Sequence, residues 1–223
     1  MRWLVACIAF GAAFALQRPP ASLPQLPKLE ASEALLASHG FSGAANWLVP
    51  GHVLLGANPN KGRGSGTARI VRICGVGCET FVSLQEEAEE RDGGYFVDVE
   101  ASAETPRFVR FPIEDLRPAP SLKWLDETVC LLAERVLAGE VLYVHCFAGR
   151  GRTGLVAACL LGALYGHNVR ADEALQRVAA YYRLRANFGA DASRAADGMS
   201  PETEPQRQQV RDWYASRLAE DTL

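Results

Sequence analysis

The pattern of apolar and polar positions along the chain predicts strands that alternate with helices. Apolar residues recur at helical spacing over residues 122–137, and Ser121 stands before them as a helix N-cap. Residues 141–145 form a short apolar run typical of a buried strand, and residues 155–165 are apolar on nearly all sides, as in a buried helix. Further strands are predicted at 53–55, 79–83, 95–99 and 107–111, and further helices at 32–39, 67–75, 84–91, 171–183 and 204–219. This order predicts an α/β fold, a three-layer sandwich with a largely parallel central sheet flanked by helices.

A glycine-rich turn, CFAGRGRTG from Cys146 to Gly154, connects the predicted strand at 141–145 to the helix at 155–165. The first N–H groups of a helix lack intrahelical partners and its dipole is positive there, so a phosphate group is stabilised at such a turn. The same positive field favours the thiolate form of a cysteine, which is the attacking species. Arg152 adds a planar pair of donors for two phosphate oxygens. The turn is therefore predicted to be a phosphate pocket with a nucleophile in its floor.

With His145 in front, the turn reads HCFAGRGRTG and resembles the HCxxGxxR[ST]G signature of the cysteine-dependent protein phosphatases, the tyrosine and dual-specificity superfamily. The resemblance implies that the Cys146 thiolate attacks phosphorus, that Arg152 holds the phosphoryl oxygens, and that the Thr153 hydroxyl hydrogen-bonds the departing thiolate. His145 resembles the orienting histidine of the family, although an ordinary buried core histidine explains it nearly as well. The implied phosphate-binding backbone comprises Phe147, Ala148, Gly149, Arg150, Gly151 and Arg152.

An acid must protonate the leaving oxygen when the P–O bond breaks. The segment FPIED, residues 111–115, resembles the PIxD entry to the general-acid loop of dual-specificity-like phosphatases, which implies that Asp115 is this acid on a mobile loop. Pro118 and Pro120 stand three and five residues after Asp115, whereas the family often has a proline at four. Glu114 therefore remains a second candidate, and two solvated carboxylates in a turn remain the structural alternative.

The segment SPETEPQR, residues 200–207, resembles an SPETxxQR segment that precedes the last helix in a bacterial-type group of these phosphatases. The resemblance implies that Gln206 positions the water that hydrolyses the phosphocysteine. Thr203 and Gln206 also form a capping box, and Trp213 lies on an apolar stripe of the following helix. Gln206 is therefore either a water-positioning residue or part of a helix cap.

The 223 residues suit one phosphatase domain, predicted at 45–220, behind a signal peptide at 1–15 and a proline-rich linker with a short helix at 16–44. A formal net charge of −3 argues against a nucleic-acid binder, which usually shows a basic face. Cys74 and Cys78 make a lone CxxxC, whose pairing is left open, and a metal site there would need two further ligands that are not evident. We expect no metal and no cofactor.

An apolar run from Trp3 to Leu16 is too short for the roughly 20 residues that span a bilayer but is typical of a signal-peptide core. Cleavage near Ala15 would leave no stable membrane anchor. Because the secretory route is oxidising while Cys146 must stay reduced, a redox-buffered organelle such as a plastid of secondary origin is expected. Secretion and an endomembrane lumen remain alternatives.

The predicted function is hydrolysis of phosphotyrosine, phosphoserine or phosphothreonine, so the expected partner is a phosphorylated protein. Phosphoinositides, nucleotides and glycans would be hydrolysed by the same chemistry and stay open as substrates. A pseudophosphatase that binds phosphate without turnover is a further alternative. The sequence leaves the oligomeric state open.

Overall fold

A five-stranded sheet forms the centre of the molecule, which is described by a computed structural model over residues 22–29, 32–60, 66–89, 95–103, 107–185 and 199–220. The strands are β1 (Ala45–Val49), β2 (Val53–Ala57), β3 (Thr80–Ser83), β4 (Arg107–Arg110) and β5 (Leu142–Cys146). Their order is β1-β2-β5-β3-β4; β1 is antiparallel to β2, and the other neighbouring pairs are parallel.

Helices cover both faces of this sheet. They are α1 (Ser32–His39), α2 (Gly66–Cys74), α3 (Phe96–Ser102), α4 (Leu122–Leu137), α5 (Gly151–Tyr165), α6 (Ala171–Tyr182) and α7 (Glu204–Glu220). The larger core joins the sheet to α4, α5, α6 and α7, and a second core joins it to α2 and α3. The predicted α/β sandwich with a largely parallel sheet is therefore confirmed.

Helix α4 has the predicted bounds because its first turn is capped as expected. Ser121 Oγ accepts a hydrogen bond from Trp124 N at 3.1 Å, which satisfies one of the free donors of the first turn. Helix α5 is buried over most of its length because it lies between the sheet and the outer helices. Its uniformly apolar sequence follows from that position.

Three predicted or omitted elements differ in the structure. The strand predicted at 95–99 is wrong, because Tyr95 is the N-cap of α3 and the next residues form the first turn of this helix. Tyr95 and Val99, four residues apart, both reach the second core. The helix predicted at 84–91 is wrong over its described part, since residues 84–89 contain only a single 3₁₀ turn at Glu87–Glu89. Strand β1 was not predicted; it forms a hairpin with β2.

The proline-rich segment at 22–29 has no regular secondary structure, yet it packs on the domain. Tyr165 Oη donates to Pro24 O at 2.9 Å, and Arg177 Nη1 donates to Pro27 O at 2.7 Å. Three leucines of the segment contact the larger core: Leu23, Leu26 and Leu29. The segment thus follows α5 and α6. The predicted signal peptide lies outside the described residues, and the division at 15 and 44 stays a prediction.

The carboxyl ends of the parallel strands meet at one edge of the sheet, where ligands of open α/β sheets bind. Cys146 is the last residue of the central strand β5 and pairs with Ala57 of β2. His145 pairs with Ser83 of β3 on the other side. The sheet therefore places the predicted nucleophile at the middle of its functional edge.

Candidate active site

The phosphate loop, residues 146–152, connects β5 to α5 and has the backbone of an anion site. Cys146 is buried in its floor, and helix α5 begins at Gly151. Among the described residues, no acceptor contacts the backbone N–H groups of Ala148, Gly149, Gly151 or Arg152. Buried N–H groups without acceptors are costly, so this loop can stabilise an anion that supplies the missing hydrogen bonds.

Glycine at position 149 is required by backbone conformation and by space. Gly149 has φ +69°, and a Cβ added there would lie 2.2 Å from the carbonyl oxygen of Gly56 on β2. Gly56 in turn has Tyr143 Oη within 2.0 Å of the position of an added Cβ. The phosphate loop therefore rests directly on the backbone of β2, which fixes its height above the sheet.

Arg152 is buried and is held from several sides. Its Nη1 donates to Ile113 O at 3.0 Å, and Nη1 and Nη2 both contact the carboxylate of Glu89, at 2.5 Å and 2.9 Å. Burial alone lowers the pKa of Arg152, but its hydrogen bonds to Glu89 and the charges of Cys146 and Asp115 outweigh burial, so the pKa of Arg152 is raised. Its Nε is buried and has no partner among the described residues. That donor is available to a phosphoryl oxygen.

Asp115 reaches the phosphate loop, whereas Glu114 does not. Asp115 Oδ1 lies 2.9 Å from Arg152 Nη2, and its side chain is 62% exposed. Glu114 lies 3.6 Å from Arg117 and is 67% exposed. Both belong to residues 114–119, which we call the acid loop. Of the two carboxylates proposed from sequence, only Asp115 has a recorded contact with a phosphate-loop residue.

Glu89 is a site residue that the sequence analysis missed. It ends the 3₁₀ turn after β3 and contacts Arg152 through both carboxylate oxygens. Burial tends to raise the pKa of Glu89, but the hydrogen bond and charge of Arg152 lower it overall. One signal was present in the sequence, because an acidic cluster directly after a parallel strand falls at the same edge of the sheet as Cys146.

His145 is buried behind the nucleophile and is neutral at pH 7. Burial lowers the pKa of His145 to about 4. Its Nδ1 lies 3.3 Å from Cys146 O, and because a carbonyl oxygen only accepts, Nδ1 carries the proton. Nε2 then accepts from Tyr95 Oη at 2.5 Å. The carbonyl of Cys146 thus sets the tautomer of His145, and Tyr95, which lies in a segment predicted as a strand, holds the other side of the ring.

Thr153 and Gln206 lie at the site, but neither shows, within the described residues, the contact that the resemblance implies. Thr153 Oγ1 is buried and has no hydrogen-bond partner in the described part of the chain, so a bond to Cys146 is not seen there. Gln206 Oε1 accepts from Thr203 N at 3.1 Å, as in a capping box, and Nε2 donates to Arg117 O at 2.9 Å. The Gln206 amide also packs against Gly151 of the phosphate loop. Their catalytic roles stay predictions.

Two further arginines support the phosphate loop. Arg150 pairs with Glu202 at 3.0 Å and donates to Met199 O at 2.7 Å. Arg185, just after α6, is buried beneath the loop and donates to Ala148 O at 3.4 Å. Arg185 pairs with no carboxylate among the described residues, and its Nε donates instead to Asn46 Oδ1 at 2.7 Å. It therefore adds positive charge close to Cys146.

The described cysteines are all free thiols: Cys74, Cys78, Cys130, Cys146 and Cys159. Within the same described ranges, no cluster of three or more histidine, cysteine or acidic residues could hold a metal ion. None of the described helices combines the length and the apolar composition that crossing a bilayer requires.

A cysteine and an arginine on one anion-binding turn, with a carboxylate held over them, define the class of cysteine-dependent phosphatases. Comparison with known families agrees. The sequence model of the family described as "PTP-SAK: Swiss Army Knife protein, DSP-PTPase phosphatase domain" matches residues 42–210. The chain belongs to this family of phosphatase domains.

Curated relatives carry related names. The chain is 34% identical over 116 residues to "Putative tyrosine phosphatase 067L" of Invertebrate iridescent virus 3, covering 51% of this chain and 45% of the viral protein. It is 26% identical over 98 residues to dual specificity protein phosphatase 16 of Homo sapiens, covering 41% of this chain and 15% of the human protein. The chain thus spans less than half of the length of these relatives.

Solved structures show the same fold at low sequence identity. The crystal structure of Tk-PTP in the active form superposes with a TM-score of 0.57 at 22% identity, covering 77% of this chain and 97% of that one. The crystal structure of PTPMT1 in complex with PI(5)P gives a TM-score of 0.56 at 22% identity, covering 77% of this chain and 95% of that one. These likenesses concern the fold alone.

Proposed function

We propose that this chain hydrolyses phosphomonoesters through a phosphocysteine intermediate. The Cys146 thiolate attacks phosphorus, the P–O bond to the leaving group breaks, and Asp115 gives its proton to the departing oxygen. Water then attacks phosphorus and gives a proton to Asp115, and the P–S bond to Cys146 breaks. Inorganic phosphate leaves, and the thiolate is restored.

The contact between Asp115 and Arg152 carries this proposal. Asp115 contacts the guanidinium that is proposed to bind the phosphate. The carboxylate therefore lies close to the position that the leaving oxygen of a bound ester would take. The free N–H groups of the phosphate loop and the unpartnered Arg152 Nε supply donors for the phosphoryl oxygens. We assign Thr153 to the departing thiolate and Gln206, which packs on Gly151, to the attacking water.

A phosphorylated protein is the substrate that we propose, with phosphotyrosine preferred. Phe147 and Leu116, the residues directly after Cys146 and Asp115, are 45% and 52% exposed, so two large apolar side chains follow the reacting groups. Apolar surface of this kind suits an aromatic ring. A highly phosphorylated lipid headgroup would need exposed, unpaired cations, whereas Arg150 and Arg152 are both paired with carboxylates and Arg185 is buried.

Turnover of 4-nitrophenyl phosphate by the purified chain tests the activity. Cys146→Ser should abolish turnover, because a serine alkoxide is far harder to form at pH 7, and Arg152→Lys should fail because an ammonium lacks the bidentate geometry. Cys74→Ser is the matched control: it makes the same substitution at a free thiol of α2, outside the phosphate loop, and should keep full activity. Activity of Cys146→Ser above about 1% of wild type would refute the nucleophile.

A panel of substrates tests the substrate class. We expect the highest kcat/KM on phosphotyrosine peptides, lower values on phosphoserine and phosphothreonine peptides, and the lowest on phosphoinositide vesicles, nucleotides and phosphoglycans. The reverse order would replace the protein substrate by a lipid or small-molecule one. A wild-type chain that binds phosphate but turns over none of these esters would be a pseudophosphatase.

For the compartment, we propose that residues 1–15 are a cleaved signal that leads to a redox-buffered organelle, with no membrane anchor in the mature chain. The five free thiols of the described residues support a reducing environment. A C-terminal fluorescent fusion in the source organism, with N-terminal sequencing of the recovered product, tests this. Cytosolic fluorescence from a product that begins at Met1 would overturn it and leave the phosphatase assignment untouched.

A further inference from the structure

Three side chains at the N-terminal end of α7, all on one face, form hydrogen bonds with the backbone of the acid loop. They are spaced three residues apart, as neighbours on a helix face are: Thr203, Gln206 and Gln209. Thr203 Oγ1 donates to Leu116 O at 3.3 Å, and Gln206 Nε2 donates to Arg117 O at 2.9 Å. We call these three residues the α7 row.

Gln209 makes the most complete contact of the row. Its Nε2 donates to Ala119 O at 2.8 Å, and its Oε1 accepts from Ala119 N at 2.7 Å. Ala119 is buried, so its backbone groups need internal partners. The amide of Gln209 supplies both of them, in the way that a neighbouring strand would.

The acid loop is held in a conformation that it would not adopt by preference. Leu116, the residue after Asp115, has φ +63°, a region that non-glycine residues rarely occupy. Thr203 bonds to its carbonyl oxygen, and Gln206 bonds to the next one. Contacts from α7 therefore stabilise the strained turn that aims Asp115.

The segment that carries the row also contacts the phosphate loop. Ser200 Oγ donates to Arg150 O at 2.8 Å, Glu202 pairs with the Arg150 side chain, and Gln206 packs against Gly151. Residues 199–209 thus touch both loops that carry the proposed chemistry. This segment therefore helps to set the distance between the nucleophile and the acid, together with the contact between Asp115 and Arg152.

We propose that the α7 row positions the general acid, with Gln209 as its principal member. The row holds the acid loop over the phosphate loop before substrate binds, so that Asp115 can protonate the leaving group without a closing movement of the loop. This inference rests on the proposed phosphatase function. Gln209 acts through the acid loop and is a positioning residue, since its hydrogen bonds within the described part of the chain go to Ala119 and not to the reacting groups.

The test compares Gln209→Met with Gln208→Met. Methionine keeps the stem of Gln209 and removes both hydrogen bonds to Ala119. Gln208 is the matched control, because it is an exposed glutamine on the same helix whose Nε2 bonds to Asp212 at 2.8 Å, away from the loop. Kinetics are measured with phenyl phosphate, whose phenolate leaving group needs protonation, and with 4-nitrophenyl phosphate, whose leaving group hardly does.

We expect Gln209→Met to lose about tenfold in kcat on phenyl phosphate and less than about twofold on 4-nitrophenyl phosphate, with Gln208→Met unchanged on both. A merely structural role would lower both rates equally, and that result, or no loss at all, would overturn the proposal. If Gln209→Met does not fold, Thr203→Val, which removes the hydroxyl donor to Leu116 O, should show the same selective loss.

Hydrogen exchange provides a readout that needs no turnover. In Gln209→Met, the peptide that contains residues 114–119 should exchange faster than in wild type, while peptides from α4 should not change. Unchanged exchange at 114–119 would overturn the proposal even if the enzyme is active. A wild-type chain without turnover would refute the proposed phosphatase function, and the exchange result would still decide whether the α7 row holds the loop.

Discussion

Asp115 Oδ1 and Arg152 Nη2 are 2.9 Å apart, so the proposed acid rests on the cation that is proposed to bind the substrate phosphate. An incoming phosphate must share or replace this contact. Because it offers the guanidinium another anion, binding exchanges one charge-assisted hydrogen bond for another and does not leave the buried cation unpaired. The same exchange frees Asp115 to face the leaving oxygen.

This relationship predicts that the loss of kcat in Asp115→Ala depends on the leaving group of the ester. We expect a loss of about 10²–10⁴ in kcat on a phenyl or phosphotyrosine ester, because the departing oxygen then lacks its proton donor. The loss on 4-nitrophenyl phosphate should be much smaller.

Glu114→Ala is the matched control for that experiment. Glu114 neighbours Asp115 but pairs with Arg117 at the surface, so its removal should leave both rates near wild type. If Glu114→Ala shows the leaving-group-dependent loss, then the acid is Glu114. Equal losses on both esters for Asp115→Ala would indicate a folding defect.

Glu89→Gln should weaken catalysis by loosening Arg152. Its carboxylate holds two nitrogens of the guanidinium, and a neutral amide cannot accept both bonds. We expect kcat/KM to fall about tenfold, with Glu87→Gln, an exposed neighbour in the same turn, unchanged. Tighter inhibition of Glu89→Gln by inorganic phosphate, without loss of kcat/KM, would show that Glu89 competes with substrate for Arg152.

The elements that the sequence predicted correctly are those with a complete local signal. Helix α4 has its N-cap Ser121 and its apolar spacing in one continuous stretch. Residues 95–99 include aromatic and β-branched residues that favour a strand. In the structure this segment forms the start of α3, which packs beside α2, and the side chains of Tyr95 and Val99 are buried in the second core. Tertiary packing overrides propensity in such short segments.

The site residues also differ in how far their positions could be predicted from the sequence. Cys146 and Arg152 occur in one turn, so their proximity follows from the sequence alone. Glu89 is 63 residues from Arg152, and Gln209 is 90 residues from Ala119. Their contacts depend on strand order and on where α7 docks. No spacing rule contains that information, which is why local motifs identify the chemistry and miss the residues that hold it in place.

Gly149→Ala should abolish turnover. The new Cβ would lie 2.2 Å from Gly56 O, and the backbone at φ +69° would be strained as well, so the loop must move. We expect a loss above about 100-fold in kcat/KM on 4-nitrophenyl phosphate. Gly77→Ala is the control: it has φ +82° but open space around it, so it should cost about 1 kcal/mol in unfolding free energy and leave kcat unchanged. Full activity of Gly149→Ala would contradict the close packing on β2.

Arg185→Met should loosen the phosphate loop and slow turnover. Arg185 is buried beneath the loop, where its Nη1 donates to Ala148 O at 3.4 Å and its Nε donates to Asn46 Oδ1 at 2.7 Å. We expect kcat/KM on 4-nitrophenyl phosphate to fall about tenfold, because the carbonyl of Ala148 loses its donor and the loop loses its support. Arg183→Met, at an exposed arginine two residues earlier, should leave kcat/KM near wild type. An unchanged kcat/KM in Arg185→Met would show that the phosphate loop keeps its shape without this contact.

Stability should fall between pH 6.5 and pH 4 because two buried histidines resist protonation. Burial lowers the pKa of His145 and of His39 to about 4, and in His39 the charge of Arg177 adds to the effect. In that window the unfolded chain binds protons that the folded chain does not, so the free energy of unfolding decreases as pH falls.

His39→Phe isolates one of these contributions. The His39 ring stacks on Tyr181 with centroids 4.0 Å apart, and its Nε2 is buried without a partner among the described residues, so phenylalanine keeps the packing and removes the titration. Urea unfolding at pH 7 and pH 5 should show the variant losing about 1–2 kcal/mol less than wild type over this interval. Equal losses in the two proteins would show that His39 is protonated in the folded state as easily as in the unfolded chain.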